Sequence, residues 1–295
     1  MKGIINTLKP PGMTSHDVIS FMRRIFNIKK IGHSGTLDPA AAGVLPIFVG
    51  RATKSIEFFE NDDKEYMAEI CFGIVTDTGD VEGLILHHRD ADIKLNELRQ
   101  VLLQFKGEIS QIPPMYSAVR HKGKKLYELA RQGIVVERKP RTVTIKALQL
   151  MDFSHNKAVI RVSCSKGTYI RTLASDIGEQ LGCGACLSSL VRIRSGFFDI
   201  SDSYTLEEIK EKAIDNELAK VLLPVDEALD HLPKVIVSAD EKVFIKGNTL
   251  RGNHNFSKSM KDSLIRVYSC QNDFLGIAQF EKQYGKERLR VIKAL

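Results

Sequence analysis

Hydrophobic positions near the start of the chain recur with helical spacing. In "TSHDVISFMRRIFNIKK", Val18, Met22 and Phe26 fall on one face, while arginines and lysines occupy the opposite face. Thr14 or Ser15 precedes them as an N-cap, where its hydroxyl can accept a backbone N–H. The pattern predicts an amphipathic helix that ends near Asn27.

Farther along the chain, strand-like and helical patterns follow one another irregularly. Alternating apolar positions in "EYMAEICFGI" predict a strand that includes Tyr66. "KLNELRQVLLQF" and "TLASDIGEQLG" have the spacing of helices, and Gly182 can end the second. "RTVTIKALQL" and "KAVIRVSCS" are predicted to be strands. Because strands and helices mix without regular β-α-β alternation, the fold class is α+β rather than a doubly wound sheet.

Proline and charge patterns divide the chain further. Pro224 and Pro233 bracket a segment that we predict to be a short helical piece, and only strand-like pieces follow it. We therefore place a domain boundary there, with a small all-β module beyond it. Residues 107–140 are the most basic and least regular part of the chain.

Composition and charge narrow the function. The chain of 295 residues has a formal net charge of +7 and a pI of about 9.1, which suits a polyanionic partner. No apolar run approaches the ~20 residues that span a membrane. The N-terminus carries no hydrophobic signal core, so we expect a cytoplasmic protein. Neither a dinucleotide-binding nor a P-loop glycine motif occurs.

The cysteines give no sign of a disulfide framework or a metal centre. They number five and are irregularly spaced. Only "CGAC" at 183–186 has the spacing of metal ligands, and without a second pair it makes half a zinc site at best. Two small residues in a tight connection are the better interpretation.

Two stretches contain the most suggestive polar residues. "GHSGTLDPAAAG" holds Asp38, which is either an Asp-Pro turn residue or a nucleophile or general base on a rigid turn. In "SKGTYIRTL", an extended chain would point Tyr169 and Arg171 the same way, with Ile170 towards the core. A partly buried arginine needs a carboxylate, which Asp38 could supply. Otherwise this is a surface strand with a snorkelling arginine.

Three further features have both a structural and a functional interpretation. Tyr66 is either a core tyrosine or a stacking surface for a nucleobase. His33 is either an ordinary surface histidine or an RNA contact. The basic stretch at 120–141 is either a solvated face or an insertion that grips nucleic acid. Its candidate contacts to the RNA backbone are Arg120, Lys122, Lys124, Lys125 and Arg141.

Together these stretches resemble the TruB-type tRNA pseudouridine synthases, which modify uridine 55 in the T loop of tRNA. The resemblance covers essentially the whole chain. It rests on "KPPGMTS", "GHSGTLDPAAAGVLPIFVGRATK", "KEYMAEICFGIVTDTGDVEG", "GTYIRTLASDIGEQLG" and "LSSLVRIRSGFF", and "QIPPMYSAVRHKGKKLYELARQG" is similar to the RNA-contacting insertion of the family. One departure is Val191, where the family commonly has an arginine. It leaves Arg192 in place and affects only a peripheral RNA contact.

The resemblance implies an architecture and a partner. A catalytic domain over residues 1–232 would contain a mixed, largely antiparallel sheet with flanking helices, and its RNA-contacting insertion would lie at about 107–140. A PUA-like RNA-binding domain would follow over residues 233–295. The partner would be the T-arm stem-loop of tRNA, and the protein is expected to be a monomer.

The resemblance also assigns roles. Asp38 would be the essential carboxylate and Arg171 its partner. Four further residues would contact or displace the flipped uracil: Tyr66 by stacking on it, Tyr169 on its opposite side, Leu190 by packing on it, and His33 by displacing it from the T loop. Pseudouridine formation involves neither redox change nor phosphoryl transfer, so we expect no cofactor and no metal.

Two other functions fit part of the sequence. A non-catalytic RNA-binding or tRNA-folding protein would explain the charge, the aromatic residues and the β-rich tail. It gives no reason for Asp38, Tyr169 and Arg171 to occur together. A metal-dependent RNA hydrolase could use the acids of "TDTGD" and "HHRDAD" with His33. Those acids lie in turn-rich segments and are better interpreted as solvated loops.

Overall fold

A computed structural model describes residues 1–237, 249–250, 263–283 and 286–295 of the chain. Part of the small β module predicted for residues 233–295 lies outside these residues. The helices are α1 Ser15–Phe26, α2 Leu95–Gln104, α3 Leu126–Ala130, α4 Ile170–Gln180 and α5 Leu206–Ile214. Short 3₁₀ helices occur at Gly50–Phe58, Ile200–Asp202 and Leu218–Val221.

The strands before residue 200 are β1 Gly3–Lys9, β2 Ile31–His33, β3 Ala42–Val49, β4 Lys64–Phe72, β5 Ile74–Thr76, β6 Ile85–His88, β7 Gly107–Gln111, β8 Arg120–His121, β9 Lys124–Lys125, β10 Arg141–Ser154, β11 Lys157–Cys164, β12 Ala185–Ser195 and β13 Phe198–Asp199. The later strands are β14 Lys234–Ile236, β15 Thr249–Leu250, β16 Leu264–Tyr268, β17 Phe274–Gln283 and β18 Lys286–Ala294.

One nine-stranded sheet dominates the structure. Its order is β1-β3-β12-β4-β11-β10-β7, with β2 added at β3 and β13 at β12. The pairings are antiparallel apart from a short parallel contact between β3 and β12. Strands β14 to β18 form a second, five-stranded sheet. These observations confirm an α+β fold with a largely antiparallel sheet and a small C-terminal β domain.

Helices cover the large sheet through buried apolar side chains. Leu98 of α2 and Ile177 of α4 are fully buried in one cluster with Ile70 of β4. A second cluster joins Met22 of α1 to Ile47 of β3. The pairing of β12 between β3 and β4 brings three separate parts of the sequence together at the centre of the sheet. No helix in the described residues is long and apolar enough to cross a membrane.

The first predicted helix is confirmed at both ends. Thr14 accepts the backbone N–H of Asp17 at 3.0 Å, and the Asp17 carboxylate accepts the backbone N–H of Thr14 at 2.8 Å. This reciprocal capping box satisfies two donors that the helix cannot pair internally. Asn27 follows the last turn in the left-handed conformation, with φ 49°, which ends the helix.

Two local predictions are wrong. The extended chain predicted through Tyr169 and Arg171 is instead a helix start, because only Tyr169 is extended and α4 begins at Ile170. The short helical piece predicted between Pro224 and Pro233 is a series of turns. The N–H groups of Leu229 and Asp230 each donate three residues back along the chain, to the carbonyls of Asp226 and Glu227, which closes turns. The buried side chains of this segment, among them Val225 and Leu229, pack into a tertiary cluster instead.

Candidate active site

A cleft of about 260 Å³ opens where the loop at 34–38, β4, β12 and the start of α4 meet. Five of the predicted site residues line it, although they come from distant parts of the chain: Asp38, Tyr66, Tyr169, Arg171 and Leu190. Small-molecule sites occupy roughly 300–1,000 Å³. A cleft just below that range has room for one small group rather than a folded nucleic acid.

The predicted contact between Asp38 and Arg171 is present. Nη2 of Arg171 lies 3.0 Å from Oδ2 of Asp38. The arginine side chain is only 6% exposed, whereas that of Asp38 is 44% exposed. The carboxylate therefore faces the open cleft while its cationic partner is fixed behind it. A charge-assisted hydrogen bond of this length restricts the orientation of the carboxylate.

Arg171 is itself held by several acceptors. It donates to the carbonyl oxygens of Thr78 at 3.0 Å and Tyr116 at 2.7 Å. Its Nη1 also lies 3.6 Å from Oδ2 of Asp80. Asp80 belongs to the acidic loop "TDTGD" that the sequence suggested to be solvated, yet its side chain is only 18% exposed. That expectation is wrong for Asp80, because the buried guanidinium attracts a second carboxylate.

The two tyrosines reach the cleft from different elements. Tyr66 lies on β4, and its partial burial raises the pKa of its phenol, which keeps the ring neutral. Tyr169 is the N-cap residue of α4. The buried side chain of Gln111 accepts the Tyr169 N–H at 3.0 Å and donates to its carbonyl at 3.3 Å. Gln111 thereby fixes the point at which Tyr169 and α4 enter the cleft.

Buried cations surround the loop of Asp38. Lys9, at the end of β1, has no exposed surface and donates to the carbonyls of Pro10, Met13 and Pro39. Burial lowers the pKa of Lys9 to about 8, and the nearby Asp38 charge raises it only in part. Lys64 is also buried, and its ammonium donates to backbone carbonyls.

Arg192 lies in this group rather than at the RNA-facing surface. Its side chain is 1% exposed. Its Nε donates to the carbonyl of Val44 at 2.7 Å and its Nη2 to that of Gly35 at 3.1 Å. Sequence reasoning did not assign a role to Lys9 or Arg192. The signal was available, because both lie in motifs that carry the family resemblance.

His33 ends β2, next to Ser34, where the loop begins to line the cleft. Its Nδ1 accepts the N–H of Gly35 at 3.2 Å. Burial lowers the pKa of His33, and the charge of Arg192 lowers it further. The neutral imidazole supports the turn that leads to Asp38, and its predicted role in displacing a base stays a prediction.

The predicted RNA-backbone cations lie outside the cleft. Strands β8 and β9 form a hairpin in which Lys122 and Gly123 both have positive φ, as a tight type I′ turn requires. Arg120, Lys122 and Lys124 project from it as exposed residues, while Lys125 is half-buried against Tyr127. Arg141 is exposed at the start of β10. The hairpin thus presents a compact cationic surface.

Metal-ligand geometry is missing from the part of the chain that the structure describes. No group of three or more His, Cys, Asp or Glu side chains is arranged there to hold a metal ion. The "CGAC" cysteines are buried free thiols. Cys186 belongs to β12 and stands opposite Cys71 of β4, which agrees with a structural role.

The chain is similar to known protein families and to individual proteins over most of its length. Residues 23–170 match the model of the TruB family pseudouridylate synthase N-terminal domain, and residues 171–230 match that of the tRNA pseudouridylate synthase B C-terminal domain. The chain is 51% identical to tRNA pseudouridine synthase B of Alkaliphilus oremlandii, over 86% of this chain and 84% of the relative. It is 44% identical to that of Dehalococcoides mccartyi, over 95% and 93%.

Solved structures agree. A chain of a Cbf5–Nop10–Gar1 complex matches with a TM-score of 0.73 and 27% identity, covering 99% of this chain and 84% of that one. A chain of an H/ACA RNP bound to a substrate RNA containing 2′-deoxyuridine matches with a TM-score of 0.72 and 26% identity, over 99% and 84%. Sequence motifs, sheet topology and relatives at this level of identity lead to one conclusion: the chain belongs to the TruB family of pseudouridylate synthases.

Proposed function

We propose that the protein converts uridine 55 in the T loop of tRNA to pseudouridine, with Asp38 as the essential carboxylate. The observation that supports this most directly is the position of Asp38. Its carboxylate is half-exposed at the cleft, while the buried Arg171 holds it from behind at 3.0 Å. Full-length relatives named tRNA pseudouridine synthase B support tRNA as the substrate.

The reaction moves the base rather than removing it. The bond between N1 and C1′ breaks, the uracil turns, and a bond forms between C5 and C1′. C5 loses its proton and N1 gains one, so no atom is added overall. Asp38 could attack C1′, add to C6 of the uracil, or take the proton from C2′. All three need an ionised carboxylate within reach of the nucleotide.

The roles proposed for the other cleft residues come from the family resemblance, and their presence in the cleft supports them. The uracil must leave its stack, which costs a few kcal/mol. Stacking on the neutral ring of Tyr66 offsets part of that cost, since base–aromatic stacking contributes about 1–3 kcal/mol. Leu190 closes the apolar wall. Tyr169, fixed by Gln111, faces the base from the other side, where its phenol can exchange the C5 proton.

The tRNA body would lie outside the cleft. The cationic hairpin at 120–125 and Arg141 are suited to the phosphates of the T arm, because Arg120, Lys122, Lys124 and Arg141 are exposed. Arg120 and Arg141 also line the same surface pocket. We assign residues 1–232 to the catalytic domain and residues 233–295 to a PUA-like RNA-binding domain. We further expect a cytoplasmic monomer that uses neither a metal nor a cofactor.

Mapping pseudouridine in an unmodified tRNA transcript after incubation with the protein tests the proposal. One new pseudouridine at position 55 is expected, and a transcript with cytidine 55 should stay unmodified. Asp38→Asn should abolish the product and leave the Kd for tRNA within about 3-fold of wild type. Asp152→Asn, on an exposed position of β10, is the matched control.

The same experiment distinguishes a pseudouridine synthase from a non-catalytic RNA-binding or tRNA-folding protein. Binding of tRNA by the wild-type protein without any pseudouridine would favour an RNA-folding role. Full activity of Asp38→Asn would show that another group is the essential carboxylate. Modification at a different uridine would retain the enzyme class and refute the assignment to position 55.

A further inference from the structure

The loop that carries Asp38 is held by buried side chains from three different elements. Alternate carbonyls of this loop, those of Gly35, Leu37 and Pro39, accept hydrogen bonds from Arg192, Ser15 and Lys9 respectively. The three donors belong to β12, α1 and β1. We propose that these side chains form a loop clamp, a set of positioning residues that fixes the Asp38 carboxylate for reaction.

Ser15 forms two hydrogen bonds with the backbone of Leu37, the residue before Asp38. Its Oγ donates to the carbonyl of Leu37 at 3.1 Å and accepts the N–H of the same residue at 2.9 Å. The Ser15 hydroxyl thus pairs both backbone groups of Leu37, as a neighbouring strand would do in a sheet. Ser15 is 3% exposed and Leu37 is 4% exposed, so water cannot substitute for either bond.

Lys9 fixes the residue after Asp38. Its ammonium donates to the carbonyl of Pro39 at 3.1 Å, and the N–H of Gly12 donates to the same oxygen at 2.9 Å. The ammonium also bonds the carbonyls of Pro10 and Met13. Because Lys9, Gly12 and Met13 belong to "KPPGMTS", this segment acts as a support for the loop.

Arg192 completes the clamp from the sheet. It bonds the carbonyl of Gly35 in the loop and the carbonyl of Val44 in β3, so it ties the start of the loop to the strand that follows it. Ser15 therefore fixes the peptide group before Asp38 and Lys9 fixes the carbonyl of Pro39, while the N–H of Ala41 donates to the carbonyl of Asp38 between them at 3.1 Å. A small rotation of any of these peptide groups would move the carboxylate away from Arg171 and from the cleft.

The buried carbonyls of any loop need donors, but backbone N–H groups or ordered water can also supply them. Burying a hydroxyl and two cations costs free energy that apolar side chains of similar size would not. Hydrogen bonds fix peptide orientation more tightly than apolar packing does, and displacement of a reacting group by about 1 Å can cost on the order of 100-fold in rate. The loop clamp is thus explained by a need for accurate placement. This inference rests on the proposed function of Asp38.

Ser15→Ala tests the clamp, with Ser20→Ala as the matched control. Ser20 lies on the same helix and donates only to the carbonyl of His16 within that helix. Two measurements are made on each full-length protein: the single-turnover rate constant on tRNA with saturating enzyme, well below the melting temperature, and amide hydrogen exchange of the segment at 33–41.

For Ser15→Ala we expect a rate constant lowered by about 10-fold, an unchanged Kd for tRNA and faster exchange at 33–41. Ser20→Ala should match wild type in each. A role in stability alone would lower the melting temperature and leave the rate constant unchanged, because saturating enzyme compensates for a small unfolded fraction. That result, or unchanged exchange at 33–41, overturns the proposal.

Two arrangements keep the test decisive. If Ser15→Ala does not fold, Arg192→Lys replaces it, because a single ammonium cannot bond the Gly35 and Val44 carbonyls with the same geometry. If the wild-type protein makes no pseudouridine, the proposed function fails. The exchange measurement then still decides whether the clamp holds the loop.

Discussion

Replacing Arg171 by lysine tests whether the cleft requires a planar guanidinium or only a positive charge. Nη2 of Arg171 faces Asp38 and the carbonyl of Tyr116, while Nη1 faces the carbonyl of Thr78 and Asp80. A lysine ammonium keeps the charge. Its single nitrogen cannot reach acceptors on both sides.

The structure gives the expected size of the effect. About half of these interactions cannot form with lysine, and a hydrogen bond to a charged group contributes about 1.5–3 kcal/mol. Water can replace part of this stabilisation, because Asp38 is 44% exposed. We expect Arg171→Lys to lower the free energy of unfolding by about 2 kcal/mol, and Arg171→Met by about 4 kcal/mol, since methionine leaves two carboxylates without a cation. The carboxylate also moves, so the rate should fall about 100-fold in both.

Urea denaturation measures the change in stability, and release of tritium from C5-labelled tRNA in a single turnover measures the rate. Arg161→Lys is the control, because Arg161 pairs with Glu65 on an exposed part of β11. It should change neither quantity beyond about 0.5 kcal/mol or 2-fold. An Arg171→Lys variant with a rate within about 3-fold of wild type would show that charge alone suffices and refute the geometric argument.

Three further predictions use other parts of the structure. Gly43→Ala should lower the free energy of unfolding, measured by urea denaturation, by about 3 kcal/mol, because φ is +113° and a Cβ would overlap the backbone of Arg192. Its control, Gly133→Ala, should lower it by only about 1 kcal/mol, because Gly133 has a φ of +71° but open space around it. Burial lowers the pKa of Lys9 from 10.5 to about 8. Between pH 8 and 10.5 the folded protein therefore binds fewer protons than the unfolded chain. Stability contributed by this group therefore rises with pH from about 8 to 10.5, and Lys9→Met should flatten that rise. Replacing the exposed cations of the β8–β9 hairpin by alanine should weaken tRNA binding and make log K less dependent on log salt, by about 0.7–0.9 for each phosphate that is no longer neutralised, while Lys210→Ala should leave the salt dependence unchanged.

Local signals in the sequence predict some elements well. The first helix is predicted with a cap at Thr14 or Ser15 and an end near Asn27, because these signals lie within a few residues of an apolar stripe. The structure selects Thr14 through a capping box and ends the helix at a left-handed Asn27. The start of α4 is not predicted correctly. Tyr169 has no side-chain cap of its own, and the helix begins there because Gln111, far away in sequence, binds the Tyr169 backbone.

The site shows the same division. Asp38 and Arg171 are paired in the sequence prediction because an arginine near an apolar stretch requires a carboxylate, and family resemblance indicates which one. The sequence prediction counts Asp80 among the solvated acids, because nothing in "TDTGD" shows that a guanidinium will be buried beside it. The sequence pattern predicts the secondary structure that each segment favours. It does not report which polar groups the sheet order brings together.

The buried cations indicate, more precisely than the net charge of the whole chain, where the protein can attract an anionic group. Lys9 and Lys64 are bonded to backbone carbonyls, and so is Arg192. Carbonyl dipoles stabilise a cation without cancelling its formal charge, whereas a carboxylate would cancel it. Asp38 and Asp62 offset part of the charge of Lys9 and Lys64, and low-dielectric walls focus what remains towards the cleft. Under the proposed function, phosphates that flank a flipped nucleotide would be attracted to the opening of the cleft, and the Asp38 carboxylate would meet the nucleotide beside these cations.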